Sequence, residues 1–177
     1  MVFLKSLYII LICCLLYLFI GNTNTSKINI PDEAIRFRVI ASSNSPTDQQ
    51  LKIKVKLEIE KELAAILKDK KNFLSADTAI YNNMEIIKNK VKTILQKEKN
   101  METFEINYGN NYFPEKNYNG IKYEEGKYNS LTITLGNGLG ENWWCILFPP
   151  LCLLDENDYD EADYSFYVKE VLDDYLN

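Results

Sequence analysis

Histidine is absent from all 177 residues, and that omission removes whole classes of chemistry. Ser-His-Asp and Cys-His mechanisms need an imidazole of near-neutral pKa to take the nucleophile's proton. Histidine is also the commonest nitrogen donor of zinc sites. No Asp-Thr-Gly, Asp-Ser-Gly or Ser-x-x-Lys segment occurs either, so the sequence offers no recognisable catalytic site. Glycine is missing from residue 22 to residue 108 and then appears six times between 109 and 140. Because glycine marks tight turns and bulges, the first half is predicted to be helical and the second half rich in hairpins.

The chain is long enough for one domain with a real core. Its apolar share of 46% and charged share of 25% are those of an ordinary globular protein. The net charge of −5 is unevenly spread: residues 155–177 hold nine acids against Lys169 alone, leaving 19 bases and 16 acids elsewhere. A near-neutral body with an acidic tail has no electrostatic footprint for nucleic acid. The acids read as the solvated face of a terminal helix.

Leu7 to Ile20 is uncharged and apolar, and Lys5 precedes it. Fourteen residues suit the apolar core of a secretory signal and fall short of the roughly 20 that span a bilayer. Including Val2, Phe3 and Leu4 would lengthen the run toward a tilted anchor, with Lys5 at the headgroups. Residues 1–26 are therefore read as a signal peptide or N-terminal membrane anchor. The positive end stays in the cytoplasm and the rest is exported. No A-x-A triplet follows the run, which leaves cleavage open. Residues 31–177 form a single extracytoplasmic α+β domain on this reading.

Within that domain, Ile35-Arg36-Phe37-Arg38-Val39-Ile40 alternates apolar and basic residues, a strand period that sets Arg36 and Arg38 on one face. Ser45-Pro46 with Asp48 is a helix start. The stretch Leu51 to Glu60 alternates like a strand, yet Leu51, Val55, Ile59 and Leu63 also recur every fourth residue; the start signal and the absence of turn residues favour helix. After Ser75 and Asp77, the residues Ile80, Met84, Ile87, Val91 and Ile94 form one apolar stripe of a second helix ending near Lys97. Phe104, Ile106 and Tyr108 alternate as a strand, as do Leu131, Ile133 and Leu135. Gly136-Asn137-Gly138-Leu139-Gly140 leads into an apolar strand; with no following helix it lacks the dipole that binds phosphate and reads as a hairpin connection. Tyr164, Tyr167, Val168, Val171 and Tyr175 mark a closing C-terminal helix. The expected architecture is an N-terminal strand and two helices, then a hairpin-rich antiparallel sheet and a C-terminal helix.

Residues 141–154, ENWWCILFPPLCLL, are the densest apolar and aromatic stretch outside the leader. In an exported protein, Cys145 and Cys152, with six residues between them, suggest a disulfide. Closing so short a loop would restrict the unfolded chain by roughly 2.5 kcal/mol. Pro149 and Pro150 stop the segment from continuing as a paired strand. Trp143, Trp144, Phe148, Pro149 and Pro150 are the candidates for partner binding, since desolvated aromatic anchors dominate interfaces. Adjacent strand residues point to opposite faces, so one tryptophan is expected to fill the core and the other to face outward. Cys145 as a nucleophile has no histidine to activate it.

Several of these segments together carry a resemblance: Ile35 to Pro46 (IRFRVIASSNSP), Asp48-Gln49-Gln50-Leu51-Lys52, Gly126-Lys127-Tyr128, and Gly140 to Cys152 (GENWWCILFPPLC). The sequence resembles the stage II sporulation protein R family over most of residues 31–154. The resemblance implies an exported signalling protein, made in the forespore and acting in the space between forespore and mother cell. It would trigger a mother-cell membrane protease of the aspartic type that processes pro-sigma-E, by binding and with no cofactor. Two other readings stand beside it. One is an extracytoplasmic hydrolase of cell wall or peptide that uses a carboxylate pair; the other is a structural envelope protein without a switching role.

Overall fold

The computed structural model describes residues 33–99, 103–118, 121–151 and 171. The leader, the Cys152 half of the suggested disulfide and the closing helix (apart from Val171) lie outside the described residues. The fold is α+β, as the sequence pattern predicts. Strand β1 (Ile35–Ile40) is followed by helices α1 (Pro46–Leu67), α2 (Phe73–Asn82) and α3 (Met84–Lys97). Strands β2 (Phe104–Phe113), β3 (Lys116–Tyr118), β4 (Ile121–Tyr123), β5 (Gly126–Leu135) and β6 (Asn142–Phe148) come next.

Helix α1 settles the ambiguity between strand and helix. Ser45 Oγ accepts the Asp48 N–H at 3.2 Å and Pro46 occupies the first turn, so the start is capped as the sequence indicates. Leu51, Val55, Ile59, Leu63 and Leu67 are buried along one side, whereas Ile53 and Leu57 are exposed. The four-residue recurrence describes burial here and the two-residue alternation does not.

The apolar stripe read as one helix after Ser75 is divided between two. Asn72 caps α2: its side chain accepts the Ser75 N–H at 2.9 Å, and Ser75 Oγ accepts the Asn72 N–H in return. Asn83 then leaves helical geometry at φ −105°, ψ 10°, while its side-chain amide donates to Ala79 O at 2.8 Å. A short amide that competes for backbone partners ends a helix without glycine or proline. Ile80 belongs to α2, whereas Ile87, Val91, Ile94 and Leu95 are the buried face of α3.

The main sheet has the order β2-β5-β1-β6, and β3 pairs with β4 in a separate antiparallel ribbon. Strand β2 runs antiparallel to β5 over ten residue pairs, and β1 is antiparallel to β6. Strand β1 is, however, parallel to β5, with Phe37 beside Leu131 and Val39 beside Ile133, so the sheet is mixed rather than purely antiparallel. Local alternation shows that a segment is a strand but carries no record of its partner's direction. The insertion of β1 between β5 and β6 has a second consequence. The Gly136–Gly140 loop, expected as a hairpin connection, instead crosses the end of β1 to link strands that are not neighbours.

The three helices lie on one face of the sheet. Ile35, Phe37, Val39, Leu131, Ile133, Leu135 and Leu147 share a core with the buried residues of α1, α2 and α3. The two sheet faces are therefore chemically distinct: aliphatic toward the helices, arginine-bearing on the other side.

Candidate functional site

Two of the sequence blocks that carry the family resemblance meet in space. The turn after β1 (Ala41 to Asn44) is fastened to the loop before β6 (Gly138 to Glu141). Gly140 N–H donates to Ala41 O at 2.9 Å and Leu139 N–H to Ser42 O at 3.1 Å. Asn44 Oδ1 accepts the Glu141 N–H at 2.7 Å. Two glycines permit the approach. Gly138 has φ +65°, a conformation that L side chains resist. A Cβ on Gly140 would lie 2.4 Å from Ser43 O and 2.8 Å from Ala41 Cβ.

The first turn of α1 braces the same junction. Gln49 Nε2 donates to Ser43 O at 2.9 Å, and Ser43 Oγ donates to Asp48 Oδ2 at 2.5 Å. Lys52 is 6% exposed, and its Nζ donates to Gln49 Oε1 at 2.6 Å and to Glu141 O at 3.2 Å. Burial lowers its pKa, with the nearby Glu141 charge partly restoring it. The polar groups here satisfy one another around backbone. Leu139 is the junction's exposed apolar side chain, 79% exposed at the loop apex, with Asn44, Asn137 and Glu141 exposed around it.

The second candidate surface is the sheet face away from the helices. Arg36 and Arg38 share it, as the alternation in β1 predicts, and the register sets them beside Ile146 and Trp144 of β6. Phe113, at the end of β2, packs edge-on against Trp144 with centroids 5.6 Å apart and against Tyr128 at 6.2 Å. Since β2 and β6 are opposite edges of the sheet, that contact requires the β2–β5 ribbon to curl over this face. Arg36 lies between the Tyr128 ring, 3.3 Å from its centroid, and the Phe113 ring at 5.2 Å. Arg38 and Lys116 both approach the Trp144 ring, at 5.5 and 4.9 Å. Such contacts contribute about 0.5–2 kcal/mol each, more where water is excluded. Arg38 also donates to Asn142 Oδ1 at 3.3 Å, and burial lowers its pKa, although a guanidinium stays protonated.

The five residues proposed for partner contact are thus not one patch. Trp143 points toward the helices, edge-on to Phe37 at 5.6 Å, with Lys56 Nζ 4.5 Å from its ring centroid. Trp144 points the other way, which is the expected division between opposite faces. Phe148 is 4% exposed and Pro149 is buried, whereas Pro150 is exposed. Leu139, Asn44, Lys52 and Phe113 were not singled out from sequence. The signals were the Gly-x-Gly spacing around Leu139, which demands a close backbone approach, and a phenylalanine directly before Pro114.

On the helix side, Asp77 Oδ1 accepts from Tyr108 Oη at 2.8 Å and from Asn129 Nδ2 at 2.5 Å, tying α2 to β2 and β5. Burial, then the Asp77 carboxylate, push the Tyr108 hydroxyl well above its ordinary pKa. This cluster is a fastener between layers. Among the described residues no group of three or more His, Cys, Asp or Glu side chains is placed to hold a metal ion.

Fold and surfaces together define a small α+β domain whose organised polar groups brace loops and whose aromatic groups are stacked with cations. The chain belongs to the stage II sporulation protein R family: the model of the family described as "Stage II sporulation protein R" matches residues 31–158. Stage II sporulation protein R of Bacillus subtilis (strain 168) is 39% identical over 134 residues, a match covering 76% of this chain and 60% of that protein. The match therefore spans less than two-thirds of the relative. No solved structure matches the chain. Membership implies a role in sporulation.

Proposed function

We propose that this protein is an exported sporulation signal that acts by being bound. It crosses the forespore membrane by means of residues 1–26, as a secreted or N-terminally anchored protein, and works in the intermembrane space. There it engages a mother-cell membrane protease of the aspartic type and switches on processing of pro-sigma-E. Its own side chains make and break no bond. A Cys145–Cys152 disulfide would hold the end of β6 in an oxidising compartment.

The observation that carries this reading is the braced junction of the Ala41–Asn44 turn with the Gly138–Glu141 loop. It fixes both backbones by hydrogen bonds and presents Leu139, 79% exposed, on a support that loses little freedom on binding. The partner surface starts at Leu139 and continues along the backbone edge of β6. Strand β6 is an edge of the sheet, pairing with β1 alone among the described strands, and an edge strand is ready to accept an extended segment.

Co-expression with the protease and pro-sigma-E tests the reading. Processing is expected with the full chain and with the domain directed outside the membrane. It is expected to fail when residues 1–26 are deleted and the domain stays in the cytosol. Equal processing by a cytosolic domain would refute the extracytoplasmic part of the proposal. Hydrolysis of peptide or cell wall by the purified protein alone would favour the carboxylate-hydrolase alternative.

A further inference from the structure

We infer that the outer edge of β2 is a dimer surface, on which a second copy of this chain adds its own β2 antiparallel and joins two four-stranded sheets into one. The inference is independent of the protease reading, which uses the opposite edge.

The edge itself carries the first part of the argument. Strand β2 pairs with β5 alone among the described strands. An open edge is ordinarily blunted by lysine, proline, a bulge or short length. Here ten residues contain neither lysine nor proline, and all ten pair with β5 without a register shift. Gly136 N–H donates to Thr103 O at 2.7 Å, so Thr103 bonds toward β5. Antiparallel ladders alternate; Phe104, Ile106, Tyr108, Asn110 and Tyr112 therefore turn their N–H and C=O groups to the open edge.

Of the two-fold pairings of β2 with itself, the one centred on Tyr108 engages all five. It sets Phe104 opposite Tyr112 of the second copy, Ile106 opposite Asn110 and Tyr108 opposite itself. Tyr112, 55% exposed, gains an aromatic neighbour across the strands. On the other sheet face Glu105, the one charge of the strand, meets Asn111, so like charges stay apart.

Helix α2 carries the second part. Asp77 accepts from Tyr108 Oη, which fastens α2 to the middle of β2. At about 100° per residue, the buried Ala76 and Ile80 lie to one side of Asp77, and Leu74 and Tyr81 to the other. Those two side chains are 71% and 70% exposed. A two-fold axis through Tyr108 brings the α2 helices of both copies together on the same sheet face and covers Leu74 and Tyr81. At about 200 Å² for a tyrosine, Tyr81 and Tyr112 alone expose on the order of 250 Å² in each copy. With Leu74 and the strand edge added, the pairing reaches the ~1,000 Å² that a specific interface needs.

The experiment uses the full chain in detergent micelles. Glu105→Cys and Asn111→Cys, made in separate chains, are mixed and oxidised, and the disulfides are mapped by peptide mass spectrometry. In the Tyr108-centred register their Cα atoms lie about 4.5 Å apart, within disulfide reach. A 105–111 bridge is expected in the mixture and in neither variant alone, since equal positions lie roughly 20 Å apart. Adding Tyr81→Lys, or Asn110→Pro, which removes an edge N–H and spares the β5 ladder, should lower the yield roughly fivefold or more. Without added cysteines, the wild type should sediment as a dimer, and Tyr81→Lys and Asn110→Pro as monomers. A monomeric wild type would overturn the inference, as would a dimer that both variants leave intact. Bridges from position 105 or 111 to Cys145 or Cys152 would also overturn it, by placing another segment on the edge.

Discussion

Asn44 Oδ1 accepts the backbone N–H of Glu141 at 2.7 Å, joining residues 97 apart in the chain. That bond fastens the turn after β1 to the loop that crosses it, so the β1–α1 connection and the start of β6 move as one body. Leu139 is held at the same junction by its own N–H, which donates to Ser42 O at 3.1 Å.

Replacing Asn44 with alanine removes the acceptor and leaves the Glu141 amide to solvent. A stability loss of about 1 kcal/mol is expected, read from urea unfolding as a lower midpoint with an unchanged slope. An unchanged midpoint would mean that the bond is replaced by water at no cost.

Gly140→Ala is a harsher change at the same junction, because its Cβ would sit 2.4 Å from Ser43 O. Forced backbone movement should cost roughly 1–3 kcal/mol. The matching readout is faster hydrogen exchange at the Leu139 and Gly140 amides, which bond to Ser42 and Ala41. Wild-type exchange at both would show that the two loops can part without strain.

The Tyr108 hydroxyl has its pKa raised in the folded protein, and this sets the sign of an alkaline effect. Below the unfolded value of about 10, both states are protonated and the contribution to stability is fully present. Above it the unfolded chain loses the proton first, so stability falls as pH rises. Between pH 9 and pH 11 the wild type should lose more stability than Tyr108→Phe, in which that titration is gone. An equal loss of unfolding free energy between the two pH values in wild type and variant would contradict the assignment. At neutral pH, Asp77→Ala should destabilise by about 1–3 kcal/mol, since Tyr108 and Asn129 both lose their acceptor.

Lys99, after the end of α3, has φ +54°, a left-handed conformation better suited to glycine at a helix C-terminus. Lys99→Gly should stabilise the domain by roughly 0.5–1 kcal/mol, visible as a raised melting temperature. A lower melting temperature would show that unfolded-state entropy outweighs the relief of strain.

Much of the fold was legible in the sequence where one element's own residues decide it. Ser45 and Pro46 start α1, the Arg36/Arg38 alternation separates the two faces of β1, and Trp143 and Trp144 divide between core and outer face. What escaped depends on partners distant in sequence. The parallel pairing of β1 with β5 is fixed by a core shared among three helices, and no window of residues encodes it. The break at Asn83 was hidden because Ile80 and Ile87 keep helical spacing across it. The site was legible only in part. Glycines before Trp143 signalled a turn, but only the structure shows that Gly140 is needed because Ser43 passes against it. Phe148, prominent in a run of aromatics, proves to be core.

We propose that the protein switches a membrane protease by presenting a braced surface. The most direct test is pro-sigma-E processing in co-expression with Leu139→Asp, with the variant's melting temperature measured alongside. Wild-type melting is expected, because Leu139 is 79% exposed, together with processing reduced at least tenfold. Wild-type processing by a correctly folded Leu139→Asp protein would contradict it.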